Sequence, residues 1–135
     1  MVAVLDASIV VAAFSPDEED ARAIDVLAPL LGGGSHAPDL WAIEIANVLM
    51  MKTRRNLLNA AQADAVWCSI RGIPLELHRA SIDEVEESVR PLARRHGLSG
   101  YDACYLNLAR KLGSPLGTLD QKLRIAARAE GLTVL

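Results

Sequence analysis

Cysteine and aromatic residues are scarce in this chain of 135 residues. There are two cysteines, and Phe, Trp and Tyr together make up 4% of the sequence. Cys68 and Cys104 stand far apart without CxxC spacing, which excludes a disulfide framework. Both lie inside apolar helical patterns, so they are expected as small core residues in a reducing compartment. No apolar run approaches the ~20 residues of a membrane span, and no basic N-terminal segment leads into an apolar run with a cleavage site. The expectation is a soluble, cytoplasmic protein without membrane contact. An excess of positive charge is also missing. Fourteen Lys and Arg against 17 Asp and Glu give a formal net charge of −3, which argues against coating nucleic acid by bulk charge.

Several motifs are absent as well. Without GxxxxGK[ST], GxGxxG or GxSxG there is no motif for a P-loop, a dinucleotide fold or a serine-hydrolase elbow. The glycines Gly32 to Gly34 have no strand leading into them, so they stop a helix rather than cradle a phosphate. His36, His78 and His96 fall in a loop, a strand and a helix end without HxH or HxxxH spacing, and no zinc site is expected from them.

What is present reads as one α/β domain spanning residues 1–135. "VAVL" (Val2 to Leu5) is a short apolar run suited to a strand buried on both faces. "SIVVAAF" continues it as a helix. A second helix is expected from Ser15 as N-cap, with Pro16 in first position and Glu18 completing a capping box, up to the glycines. "WAIEIANVLMMKTRR", with Asp39 as its cap, and "AAQADAVWCSIRG" follow at helical spacing. "PLELH" is a candidate strand. "SIDEVEESVRPLARRHG" opens on the box Ser81 and Glu84 and is kinked or interrupted by Pro91. "LSGYDACYLNLARKLG", "QKLRIAARAEG" and the strands "SPLGTL" and "LTVL" complete the chain. Strands alternating with helices imply a mostly parallel sheet.

Four acids stand out in this frame. Asp6 and Asp120 each appear where a strand gives out, the edge at which open α/β sheets bind ligands. Asp102 falls in line with Tyr105, Leu106 and Ala109, and Glu44 with Trp41 and Val48, on the apolar stripes of two helices. Each acid has a plainer explanation. Asp6 can cap the following helix, Asp102 can reach back to Ser99, and Asp120 can sit in a first turn boxed by Thr118 and Gln121. Glu44 reads as mid-helix, where only a salt bridge to an arginine would explain it. Taken together, four carboxylates on one rim repel one another unless a cation lies among them. Their oxygen-only character suits Mg²⁺ or Mn²⁺. Ser8 and Thr118 are candidate supporting hydroxyls, and Asn47 can hold Glu44 or position a water. Lys52, Arg54 and Arg55 form a basic strip that serves either as a solvated helix end or as an RNA contact, and Arg90, Arg94, Arg95 and His96 form a second.

With these acids in place, "VLDASIVVAAF", "APDLWAIEIANVL", "LSGYDACYLNLARKLG" and "LGTLDQKLRIAARAEGL" resemble, in order and spacing, a PIN-domain ribonuclease, most closely the VapC toxins of toxin–antitoxin pairs. The resemblance spans nearly the whole chain. It implies a three-layer α/β/α sandwich, an acidic pocket, Mg²⁺ or Mn²⁺ dependence, and endonucleolytic hydrolysis of RNA by metal-activated water. By position, Asp6, Glu44 and Asp102 match the family's three core acids. Asp120 matches a more variable fourth, and Thr118 a hydroxyl residue two positions before it. Asp6 and Asp102 would bind the ion, Glu44 would orient or deprotonate the attacking water, and Asp120 would complete any second metal position. A homodimer and a cognate antitoxin that covers the pocket, with an arginine facing the acids, are further implications. Gly117 departs from the bulky residue usual in that last strand. Two rivals remain. A haloacid-dehalogenase-like phosphatase would need a second Asp where Ser8 stands. A non-catalytic PIN-fold module binding RNA or protein would keep the acids only as caps.

Overall fold

In a computed structural model describing residues 1–135, Ala3, Val4 and Leu5 are each fully buried. Successive strand side chains point to opposite faces, so β1 (Ala3–Leu5) is covered on both sides, as the apolar run predicts. The chain continues through α1 (Ala7–Phe14), α2 (Ala21–Leu27), β2 (Ser35–Pro38), α3 (Trp41–Arg54), α4 (Ala60–Arg71) and β3 (Leu75–His78). The single turn α5 (Ile82–Glu84), α6 (Arg90–His96), α7 (Gly100–Leu112), β4 (Leu116–Gly117) and α8 (Gln121–Ala129) complete it. The four strands pair in the order β3-β2-β1-β4, and every pairing is parallel. α7 packs over β1 and β2, while α1, α3 and α4 pack on one another. No helix is long and apolar enough to cross a membrane.

Local chemistry explains most element boundaries. Asn59 and Gln62 form a reciprocal capping box at the start of α4, and the Ser81 hydroxyl accepts from the Glu84 amide at 3.1 Å. Pro91 interrupts its helix as expected: the five residues before α6, Val85–Val89, widen into a π-turn. A proline has no N–H to offer the carbonyl four residues back, and a wider turn accommodates that loss.

Several boundaries differ from expectation. The second helix begins at Asp20, whose carboxylate accepts from the amides of Arg22 and Ala23, and not at Ser15. Ser15 closes α1 instead, its amide donating to Val11 O. Asp39 caps nothing, because Leu40 occupies the N-cap position of α3 without a side-chain bond. Residues 35–38, read as a loop around His36, form β2, whose ladder hydrogen bonds to its neighbours outweigh its weak strand composition. "LTVL" makes only a single bridge, Val134 to Leu116. The cysteines are not core residues, since Cys68 is exposed and Cys104 half-buried.

Gly117 now has a packing role. A Cβ there would stand 3.0 Å from Leu5 Cδ2 and 3.5 Å from Val26 Cγ1, so the neighbours already fill the space a larger residue would take. Replacing it with valine is expected to lower stability by about 1–3 kcal/mol through overpacking, measurable as a reduced urea midpoint at unchanged slope.

Candidate active site

The chain runs outward from β1 to β2 to β3 and then returns to the other side of β1 with β4. The order therefore reverses between β1 and β4, which is where an open parallel sheet forms a crevice beyond its strand ends. Asp6 follows β1 directly, and Thr118 follows β4. The Asp6 amide donates to Gly117 O at 2.9 Å. Thr118 donates its hydroxyl to Asp6 Oδ2 at 2.6 Å, and Ser8 donates to the same oxygen at 2.9 Å. Asp6 is 6% exposed and makes no capping bond to α1. Its carboxylate is thus held by hydroxyls across the crevice, and the capping explanation fails for it.

In a parallel sheet with crossover helices, helix N-termini gather at the strand C-terminal edge, and the other three acids arrive by that route. Glu44 lies in the first turn of α3, not mid-helix, because the helix begins only at Trp41. It has no arginine partner; its Oε1 accepts from the Tyr105 hydroxyl at 2.6 Å. Asp102 lies in the first turn of α7, where its amide donates to the Ser99 hydroxyl. Asp120 is itself the N-cap of α8, its Oδ1 accepting from the Leu123 amide at 2.8 Å, so the box of Thr118 with Gln121 does not form. Thr118 Oγ1 instead accepts from the Asp120 amide. Four helix N-termini place partial positive charge behind the acids and offset part of their repulsion.

The remaining repulsion registers in the titration of the group. Burial pushes the Asp6 carboxyl above its usual range against the pull of Thr118 and Ser8, and the Asp120 charge adds to the rise. Glu44 is raised by burial and then by Asp6 and Asp102, with the Tyr105 bond opposing. Asp102 is raised by burial and by the charges of Asp6 and Asp120. These mutual effects bring all four acids into one electrostatic group. The ion pairs of the chain all lie elsewhere, and the Lys122 charge pulls the Asp102 carboxyl down only in part, without forming an ion pair with it. A buried carboxylate anchored through one oxygen, with further carboxylates around it and hydroxyls in support, fits an oxygen-preferring metal ion.

The other expected residues divide. Ser8 and Thr118 stand at the site, and Ser8 Oγ also accepts from the Leu119 amide at 3.2 Å. Asn47 does not support Glu44: it is exposed, and its amide approaches Met51 Sδ at 3.8 Å. Lys52 is no free phosphate contact, because it pairs with Asp17 at 2.6 Å and Glu18 at 2.9 Å. It still borders a cleft of about 380 Å³ that Ser8, Glu18, Leu119 and Asp120 also line. Arg54 and Arg55 are exposed at the end of α3. Sequence reasoning missed the role of Tyr105, taking it only as a core residue. The signal was its phenol: a fully buried tyrosine needs a hydrogen-bond acceptor, and Asp102 one turn earlier placed it on the acid-bearing face.

The PIN domain profile matches residues 3–129. Ribonuclease VapC3 of Pyrobaculum aerophilum is 35% identical over 127 residues, covering 91% of this chain and 92% of that protein. A crystal structure from Pyrobaculum aerophilum superposes with a TM-score of 0.70 at 23% identity, over 99% of this chain and 90% of the other. VapBC2 of Rickettsia felis, solved bound to a DNA fragment from its promoter, gives 0.68 at 16% identity over 100% and 98%. With the acids gathered at the β1/β4 crevice, these likenesses settle the lineage: the chain belongs to the PIN-domain family and is a relative of the VapC ribonucleases.

Proposed function

We propose that this protein is a metal-dependent endoribonuclease of the VapC type, the toxin of a toxin–antitoxin pair. The observation that carries the reading is the convergence of Asp6, Glu44, Asp102 and Asp120 at the crevice with no basic side chain paired to any of them. Helix capping alone does not account for it, since Asp6 caps nothing and Glu44 spends its Oε1 on a tyrosine. A divalent ion, Mg²⁺ or Mn²⁺, would supply a Lewis acid for the scissile phosphate and a water of lowered pKa. Asp6 and Asp102 would hold it, with Asp120 Oδ2 available beside them while Oδ1 caps α8.

The chain's own groups then have separate tasks. Thr118 and Ser8 both donate to Asp6 Oδ2, so Oδ1 is free of these hydroxyls and would be the oxygen offered to the ion. Glu44 orients the attacking water and takes its proton, and the Tyr105 hydroxyl fixes the carboxylate that does so. Tyr105 stays protonated, because burial and the Glu44 charge push its pKa far up. Arg54 and Arg55 guide the RNA backbone in the cytoplasm, and Lys52 instead stiffens the cleft wall. A cognate antitoxin presents an arginine to the acids. Ile43 and Met50, 74% and 53% exposed on α3, give the apolar surface on which a partner or a second copy in a homodimer docks.

Incubation of cellular RNA with the purified chain and Mg²⁺ or Mn²⁺ is expected to give discrete cuts. Chelator or Asp102→Asn should abolish them, and cuts that survive both would overturn the assignment. Tyr105→Phe is expected to lower kcat roughly ten- to hundredfold, the worth of a hydrogen bond to a charged group, with KM nearly unchanged. The acidic limb of its pH profile should move upward, because the donor that favoured ionised Glu44 is gone.

Stability should report the same pocket. Asp6, Glu44 and Asp102 have pKa values raised by folding, so their contribution is complete below about pH 4 and is lost as pH rises through the raised values. Ion-free protein is therefore expected to lose stability through these groups on going from mild acid to neutrality. Added Mn²⁺ should raise Tm more at pH 8 than at pH 5.5, where protons compete for the same oxygens. Calorimetric scans at both pH values check this, and an equal rise at each would contradict it.

A further inference from the structure

The parallel register of β2 and β3 sets His36 opposite Glu76 and Pro38 opposite His78, so His36, Glu76 and His78 share one face of the sheet. Their polar atoms meet. His36 Nδ1 lies 2.8 Å from His78 Nε2 and 3.7 Å from Glu76 Oε2, and His78 Nε2 lies 3.9 Å from Glu76 Oε1. The ligand atoms of all three lie within 4.8 Å of one another, and no such trio is found among the four acids of the crevice.

We propose that these three residues form a binding site for a transition-metal ion of the Zn²⁺ class, separate from the acid pocket. Zinc binds imidazole nitrogen and carboxylate oxygen at about 2.0–2.2 Å, which sets tetrahedral ligand edges of roughly 3.2–3.6 Å. The three observed separations bracket that range, so small rotations of the side chains would seat the ion. The two rings are tilted by 43° with centroids 5.1 Å apart, and they approach through nitrogens rather than by stacking faces. Without an ion, a single proton bridges the two nitrogens. Seating the metal displaces that bridging proton, so the imidazole that donated it takes the tautomer with its proton on the far nitrogen, which the accepting imidazole already has.

The surroundings provide an entry path. The Glu76 side chain is 69% exposed, against 16% for His36 and 24% for His78, so the carboxylate can close over an ion arriving from solvent and a water can take the fourth position. Two imidazoles and one carboxylate favour Zn²⁺ over Mg²⁺, whereas the oxygen-only crevice has the opposite preference. The ion would fasten the edge strand β3 to β2. β2 in turn leads through Asp39 and Leu40 into α3, whose first turn carries Glu44.

Tag-free protein, stripped with chelator and kept in excess Mg²⁺, is titrated with Zn²⁺ by calorimetry, and Co²⁺ serves as an absorbing probe. One Zn²⁺ per chain is expected, with the intense visible absorption of four-coordinate Co²⁺. Binding should persist in Asp102→Asn, weaken at least about tenfold in Glu76→Gln and disappear in His78→Gln. The exposed position of Glu76 makes its variant safe for the fold. Absence of binding would leave a hydrogen-bonded histidine pair and overturn the proposal. Binding that is lost in Asp102→Asn, or unchanged in Glu76→Gln, would assign the ion to other residues and overturn it equally.

Discussion

The hydrogen bond from Thr118 to Asp6 is the contact on which the crevice depends. It joins the residue that follows β1 to the residue that follows β4, the two strands between which the sheet reverses its order. An ionised carboxylate as buried as Asp6 is costly unless donors reach it, and Thr118 and Ser8 supply two on a single oxygen. The same hydroxyl of Thr118 accepts the Asp120 amide, so one side chain fixes two of the four acids. Arg124, itself buried, donates to Thr118 O and to Leu135 O, tying this corner to the chain's last residue. These bonds hold the corner in place against the repulsion of its like charges.

That closeness conflicts with stability, and the fold manages the conflict by topology. A parallel sheet with crossover helices delivers helix N-termini to one edge, and each acid here stands just before a helix or in its first turn, although Asp6 makes no capping bond. The dipoles and hydroxyls reduce the repulsion without removing it: the carboxyls of Asp6, Glu44 and Asp102 are raised first by burial and further by one another's charge or that of Asp120. Capping follows local rules at Asp20, Asn59 and Ser81, whereas at the crevice buried like charges stand together against the preference of an isolated fold.

How much of this was legible depended on sequence distance. The strand that ends in Asp6, the helix opened by Ser81 and the break before Pro91 are local, and the text carried them. The four acids were legible because strand ends and apolar stripes are periodic signals. Hidden from the sequence were pairings between distant segments: Tyr105 with Glu44, Lys52 with Asp17, and His36 with His78. Each depends on sheet register or helix packing that no spacing rule encodes. Ser15 misled for a local reason. Ser-Pro followed by acids is a valid helix start, but Asp20, five residues on, captures two amides at once and fixes the start there.

The two polar clusters of the molecule differ in chemical hardness, and that difference bears on how both could operate in one small domain. The crevice offers carboxylates and hydroxyls, and the edge of the sheet offers imidazoles with one carboxylate. Zn²⁺ prefers nitrogen ligands far more than Mg²⁺ does, so on the proposed reading the edge site would take a trace metal and leave the acids to an oxygen-preferring ion. An arginine from a partner, if one reaches the acids as proposed, would compete only with an ion in the crevice, because a guanidinium pairs with carboxylates and is repelled by an imidazole–metal cluster. Inhibition by a partner and fastening of the edge strand would then be independent: the first acts on charge at the β1/β4 crevice, and the second on the register of β2 with β3.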